Sequence, residues 1–75
     1  MTTYDIRCKV GLRMKELRVE KGITQEDFAN LIDMARSYYA EVETGKRNVS
    51  MVNLEKIVEG LGVTFEEFFR SDYFN

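Results

Sequence analysis

Arg36, Ser37, Ala40 and Glu41 fall at spacings that share one side of a helix. Each suits the edge of a base pair. An arginine guanidinium can donate two parallel bonds to guanine O6 and N7, and a glutamate can accept from a cytosine amino group. A serine hydroxyl can bond a base or a phosphate, and an alanine methyl can meet a thymine methyl or simply permit close approach. A polar, basic run follows in Lys46, Arg47, Asn48 and Ser50. Such a run can lie along a sugar-phosphate backbone, and Arg47 is the side chain long enough to enter a minor groove. The same residue types on an arbitrary helical protein would be ordinary solvated surface. What decides between the two readings is the set of elements that carries them.

The segment from Thr24 to Gly45, TQEDFANLIDMARSYYAEVETG, reads as two short helices joined by an abrupt turn. Thr24 is placed to cap the first, with Asp27 as its capping-box partner and Ile23 and Phe28 as a hydrophobic staple. Phe28, Ala29 and Ile32 repeat at helical spacing, and Asp33 then interrupts where a short polar residue tolerates left-handed backbone. A second helix is predicted from about Arg36 to Thr44, closed by Gly45 as a left-handed cap. Its inward residues are Tyr39 and Val42, which leaves Arg36, Ser37, Ala40 and Glu41 on the opposite face. Two helices so joined suit a DNA groove.

Around this unit the pattern predicts an all-α, compact five-helix bundle in which helices 2 and 3 form the helix-turn-helix. The first helix runs from near Asp5 to Gly22, with Ile6, Val10, Met14 and Leu17 along one face. The fourth opens at Ser50 and carries Leu54, Ile57, Val58 and Leu61 before Gly62, with Gly60 weakening its end. The fifth repeats the logic of the second, with Thr64 and Glu67 as a capping box and Val63 against Phe68 as a staple. The closing RSDYFN has no assigned state. No linker divides the chain, so residues 1–75 are predicted to form a single domain.

With 44% hydrophobic and 32% charged residues the chain is globular rather than disordered. No apolar run approaches the roughly 20 residues of a membrane span, and TTYDIRCKV lacks the apolar core of a signal peptide, so a cytoplasmic location is expected. One cysteine, Cys8, excludes an internal disulfide, and the absence of histidine excludes a Cys–His metal site or nucleophile pair. With no metal-ligand cluster, phosphate-binding glycine loop or paired nucleophile, neither an enzyme nor a cofactor or small-molecule ligand is expected. The net charge of −2 runs against the basic footprint usual for nucleic-acid binding. Its distribution softens the objection: residues 1–24 carry +3, 25–35 carry −3, 36–50 carry +1 and 51–75 carry −3. Positive charge gathers on the first helix and around the third, as suits a molecule that faces DNA with one side.

The stretches GLRMKELRVEKGITQEDFA, RSYYAEVETGKRNVS and NLEKIVEGLGVTFEEFF together resemble the Cro and lambda-repressor type of helix-turn-helix regulators, the xenobiotic-response-element family, over roughly residues 10–69. Within that family the small size and the RSYYAEVETGKRNVS segment are most similar to the controller proteins of bacterial restriction-modification systems. The resemblance implies a recognition helix with Arg36 as the main base reader beside Ser37, Ala40 and Glu41. It implies backbone contacts from Gln25, Lys46, Arg47 and Asn48. Tyr38 can give its hydroxyl to a phosphate or shield the edge of the core. It also implies that Arg18, near the end of the first helix, pairs with Glu43 to fix recognition-helix orientation. Three residues depart from the family pattern. Tyr39 replaces a branched aliphatic residue and its hydroxyl needs a partner or the surface, Ala35 replaces a capping residue, and Asp33 stands where glycine or asparagine is frequent.

Phe65, Phe68, Phe69, Tyr73 and Phe74 are more aromatic surface than so short a tail can bury. By resemblance to the controller proteins, the C-terminal helices, about residues 50–75, are expected to form a two-fold dimer through Phe65, Phe68 and Phe69, with Leu54 or Leu61 adjacent. The expected function is therefore a sequence-specific transcriptional regulator that binds double-stranded DNA at a pseudo-palindromic operator as a homodimer, with a restriction-modification operon as the regulated unit. The alternative is a protein-interaction module, an antirepressor or antitoxin component that keeps the fold but occupies a protein partner. Net charge and Glu41 favour that alternative, and Arg36, Gln25 and Arg47 disfavour it.

Overall fold

In chain order the computed structural model contains α1 (Ile6–Glu20), α2 (Gln25–Leu31), α3 (Arg36–Glu43), α4 (Met51–Gly60), α5 (Phe65–Phe69) and a closing 3-10 turn (Asp72–Phe74). It describes residues 5–75; residues 1–4, part of the stretch read as lacking a leader, lie outside the described residues. Four of the five helices start where a short polar side chain accepts from an otherwise unpaired backbone N–H. Asp5 Oδ1 accepts from Arg7 N at 2.7 Å, Thr24 Oγ1 from Asp27 N at 3.1 Å, Ser50 Oγ from Asn53 N at 3.1 Å and Thr64 Oγ1 from Glu67 N at 3.0 Å. At Thr64 the box is complete, because the Glu67 carboxylate accepts in return from Thr64 N at 2.9 Å. The expected box at Thr24 is corrected to its forward half, since the aspartate at 27 is one methylene shorter than a glutamate. Helix α3 alone starts without a side-chain cap, at Ala35.

Helix ends reuse one device. After α3, Gly45 takes φ 80°, its N–H bonds Val42 O at 3.1 Å and Lys46 N bonds Glu41 O at 2.9 Å. After α2 the same hydrogen-bond pattern is built with Asp33, the one non-glycine residue at positive φ among those described (55°), and Met34 N bonds Ala29 O at 2.9 Å. The chain thus turns sharply between α2 and α3 at a residue whose short polar side chain lowers the left-handed penalty.

The core is one cluster to which every helix contributes: Val10, Met14 and Leu17 from α1, Phe28 and Ala29 from α2, Tyr39 and Val42 from α3, Ile57 and Val58 from α4 and Phe68 from α5. Burying a side chain such as Phe28 or Ile57 stabilises by about 1.5–3 kcal/mol relative to leaving it exposed. Ile6, assigned above to the inward face of α1, is corrected to the surface: it stands on the first turn of α1 at the rim of an open cavity shared with Leu54 and Phe69, and more than half of it stays exposed. Leu61, read as a neighbour of an exposed patch, is core.

Two glycines set how closely helices approach. A Cβ on Gly11 would overlap the Glu43 carbonyl, so α1 and the end of α3 touch backbone to backbone. A Cβ on Gly60 would overlap Ile32 Cγ2 and crowd the Phe28 ring, so the residue that weakens α4 as a helix also admits the α2 end. Arg13 fastens α5 to α1, its Nε donating to Phe68 O at 2.7 Å and its Nη2 to Glu67 O at 2.8 Å. Those carbonyls lie in the last turn of α5, and apart from the 3.3 Å bond that Glu67 O accepts from Arg70 N they depend on Arg13 for donors. The tail left unassigned above folds back, with the Phe74 ring 4.9 Å from Phe69 and 6.3 Å from Phe68.

Candidate nucleic-acid interface

Helix α3 is held from behind. Tyr39 packs its ring 5.3 Å from that of Phe28, and Val42 is buried beside it. The opposite side presents Arg36 and Ser37 exposed and Ala40 and Glu41 half-buried. Behind α3 lies a buried polar hub. Arg18 donates from Nε to Glu43 Oε2 at 2.9 Å and from Nη2 to Glu43 Oε1 at 2.8 Å, and from Nη1 to Ile23 O at 2.7 Å. The Tyr39 hydroxyl donates to Glu43 Oε2 at 2.7 Å, and Gln25 Nε2 to Glu43 Oε1 at 2.9 Å. One carboxylate therefore ties α1, α2 and α3 together, and among the described residues no buried side-chain polar atom lacks a partner.

The hub also sets protonation. Burial by itself raises the Glu43 carboxyl, but bonds from Arg18, Gln25 and Tyr39 outweigh it and hold the group below the usual carboxylate range. Burial, and then the bond to Glu43, pushes the Tyr39 phenol far above its ordinary value, so it stays a donor. Hydrogen bonding to Glu43 raises the Arg18 guanidinium in turn. A charged pair this deep is worth keeping intact, because removing one partner strands the other.

Gln25, the first residue of α2, spends one amide hydrogen on Glu43 and keeps a second beside the helix N-terminus. Arg36 stands 3.8 Å from Glu26 of α2, a loose, exposed pair. Past α3, Arg47 donates from Nη1 to Glu41 Oε1 at 2.8 Å and lies over the Tyr38 ring, 5.0 Å from its centroid. The Tyr38 hydroxyl accepts from Asn53 Nδ2 at 3.1 Å while its ring packs against the core. Lys46 and Asn48 are exposed, and Ser50 serves α4 as its cap. Arg36, Ser37, Ala40, Glu41, Tyr38 and Arg47 therefore share α3 and the loop that follows it.

At the C-terminal end, the interface expected from Phe65, Phe68 and Phe69 is corrected at Phe68. Its ring is 0% exposed because the α5 stripe turns it into the core of the same protomer. Phe65 and Phe69 keep exposed surface. Met51 and Val52, 86% and 70% exposed on the first turn of α4, are apolar surface that sequence reading missed. Their signal was available: Leu54, Ile57, Val58 and Leu61 already mark the inward face of α4, and Met51 and Val52 belong to its first turn, at the end of that stripe. Gly11 and Arg13 were missed as well, and nothing local to either residue announces its partner. Among the described residues no helix is long and apolar enough to cross a membrane.

The fold and this arrangement define a helix-turn-helix DNA-binding regulator. The chain belongs to the helix-turn-helix family HTH_3, matched over residues 14–68. It is 54% identical over 66 residues to the control protein C.MunI of Mycoplasma sp, covering 87% of this chain and 89% of that one. Among solved structures it is similar to the restriction-modification controller protein C.AhdI from Aeromonas hydrophila, with TM-score 0.82 and 44% identity, covering 88% of this chain and 100% of that one. It is also similar to the controller protein C.Esp1396I, solved as a tetramer in complex with its natural 35 base-pair operator, with TM-score 0.82 and 38% identity, covering 88% and 87%.

Proposed function

We propose that the chain binds a pseudo-palindromic operator as a homodimer, α3 entering the major groove, and thereby controls transcription of a restriction-modification operon. The observation that carries this reading is the exposed Arg36, Ser37, Ala40 and Glu41 face on a helix whose opposite side is locked by the Glu43 hub. Base reading needs a helix that does not rock, and the hub supplies that. Arg36 reads guanine, Gln25, Tyr38, Lys46, Arg47 and Asn48 contact the backbone, and the work is done in the cytoplasm, where bacterial DNA lies. The likeness to C.Esp1396I, a tetramer on its 35 base-pair operator, supports operator binding by an assembled form. For assembly, Met51, Val52, Phe65 and Phe69 supply apolar surface from the segment 50–75. Two-fold pairing there sets the recognition helices about one helical turn, 34 Å, apart.

The test is a gel shift with duplex DNA from directly upstream of this chain's own coding sequence, beside a scrambled duplex, with sedimentation of free and bound protein. Discrimination for the upstream duplex by a dimer is expected. Equal affinity for both duplexes would instead favour a protein-binding module, and a monomer at micromolar concentration, with and without DNA, would remove the dimer.

A further inference from the structure

The acid partner of Arg47 stands on the recognition helix itself. Glu41 and Arg47 are about half-exposed, with Glu41 Oε1 accepting from Arg47 Nη1 at 2.8 Å and the guanidinium lying over the Tyr38 ring. A half-exposed pair contributes little to folding. Its position is the informative fact. The side chain best placed to reach a backbone phosphate already has a carboxylate against one of its donors. The Tyr38 ring lies against the same guanidinium, its centroid 5.0 Å from Cζ. The isolated acid reads as a solvated residue or a cytosine acceptor, but its oxygen is turned toward Arg47.

We propose that Glu41 acts through Arg47 as a built-in competitor for DNA phosphate, restraining sequence-independent binding rather than reading a base. This rests on the reading of α3 and its loop as the DNA-facing surface. Sequence-independent affinity scales with the positive charge that meets the backbone, and the Glu41 carboxylate cancels that of Arg47 until a docked duplex supplies a phosphate in its place. The arrangement also accounts for an acidic chain on a polyanionic target. Arg47 is paired closely with Glu41 and Arg36 loosely with Glu26, so a random duplex meets less free positive charge than the count of arginines implies.

The test is Glu41→Gln in the full-length chain. Glutamine keeps the length and an oxygen that can accept from Arg47, so it removes charge and little else. Binding is read by fluorescence anisotropy on the upstream duplex and on the scrambled duplex across several salt concentrations. The expected result is tighter binding to both, on the order of fivefold on the scrambled duplex, and a salt slope steeper by about one. Glu41→Asp, which keeps the charge, should return the slope toward wild type, and an unchanged thermal midpoint for both variants excludes an effect through folding. Weaker binding to the upstream duplex with the scrambled one unaffected would overturn the proposal and make Glu41 a base reader. No change on either duplex would also overturn it. Wild-type protein that fails to prefer the upstream duplex would instead strike at the DNA-binding reading itself.

Discussion

Arg18 on α1 and Glu43 at the end of α3, 25 positions apart in sequence, are joined by two hydrogen bonds of 2.9 and 2.8 Å inside the protein. The bidentate geometry fixes the angle of α3 as well as its distance, which a single bond could not do. Tyr39 and Gln25 fill the remaining positions on the same carboxylate, so the hub is satisfied although buried.

Breaking the hub from either side should be severe. Arg18→Ala and Glu43→Ala are each expected to cost about 3–5 kcal/mol, because each leaves a buried charge without its partner. The double variant should cost less than the sum. Denaturant unfolding of the four proteins measures the coupling, and additive losses would show that the pair does not act as a unit.

Acid should loosen the hub in a defined window. The folded Glu43 carboxyl lies below its unfolded value of about 4.3, so its contribution is fully present above that pH and is lost as pH falls through the folded value. The stability gap between wild type and Glu43→Gln should therefore narrow as pH is lowered below about 4.3. Asp5, held at about 2 first by hydrogen bonds from the Arg7 side chain and then by its backbone N–H, adds a loss of its own as pH falls from its unfolded value of about 3.9 through about 2. Asp5→Asn, which keeps a capping side chain, should remove that contribution and flatten an unfolding profile between about pH 3.9 and 2.

Gly11→Ala should destabilise even though alanine is the better helix former by about 1 kcal/mol. The added methyl meets the Glu43 carbonyl, which belongs to backbone and cannot swing away, so α3 must shift. Lower thermal stability together with weaker binding to the upstream duplex is expected. A gain in stability would mean that the two helices are not in backbone contact.

Arg36 and Arg47 should fail differently. Arg36→Ala is expected to cost about 1–3 kcal/mol on the upstream duplex and to relax preference at one position per half-site, with little change on scrambled DNA. Arg47→Ala should weaken both duplexes by similar factors. Anisotropy titrations on the two duplexes separate these patterns, and intact discrimination in Arg36→Ala would displace the recognition face from α3.

Phe69→Lys should shift sedimentation from dimer toward monomer and weaken DNA binding with it. Because the Phe69 ring also contacts Phe68 and Phe74, circular dichroism must show that the helices remain. A folded variant that still sediments as a dimer would move the interface away from α5.

The elements were legible in the sequence wherever they depend on residues three or four positions apart. Thr64 with Glu67, Ser50 before Met51 and Gly45 after Thr44 are local arrangements of side chain and backbone, and the structure places them there. Asp33 was readable for the same reason. The thinly capped start of α3 was equally visible, since Ala35 has no oxygen to offer.

Tertiary structure alone decided which residues share space. Phe65, Phe68 and Phe69 are chemically alike, and only the docking of α5, fastened by Arg13, turns Phe68 inward and leaves the other two with exposed surface. Ile6 fits the helical stripe yet stays largely exposed, at the rim of an open cavity beside Leu54 and Phe69. The bond from Gln25 to Glu43 and the seat of Arg47 between Glu41 and Tyr38 depend on distances between elements, which no spacing along the chain encodes. By itself the sequence determined where helices begin and end and which residue types face outward, because those follow from short-range bonding and periodicity. Packing decided which of those residues meet, because the free energy of burial and of ion pairing belongs to neighbours in space rather than in sequence.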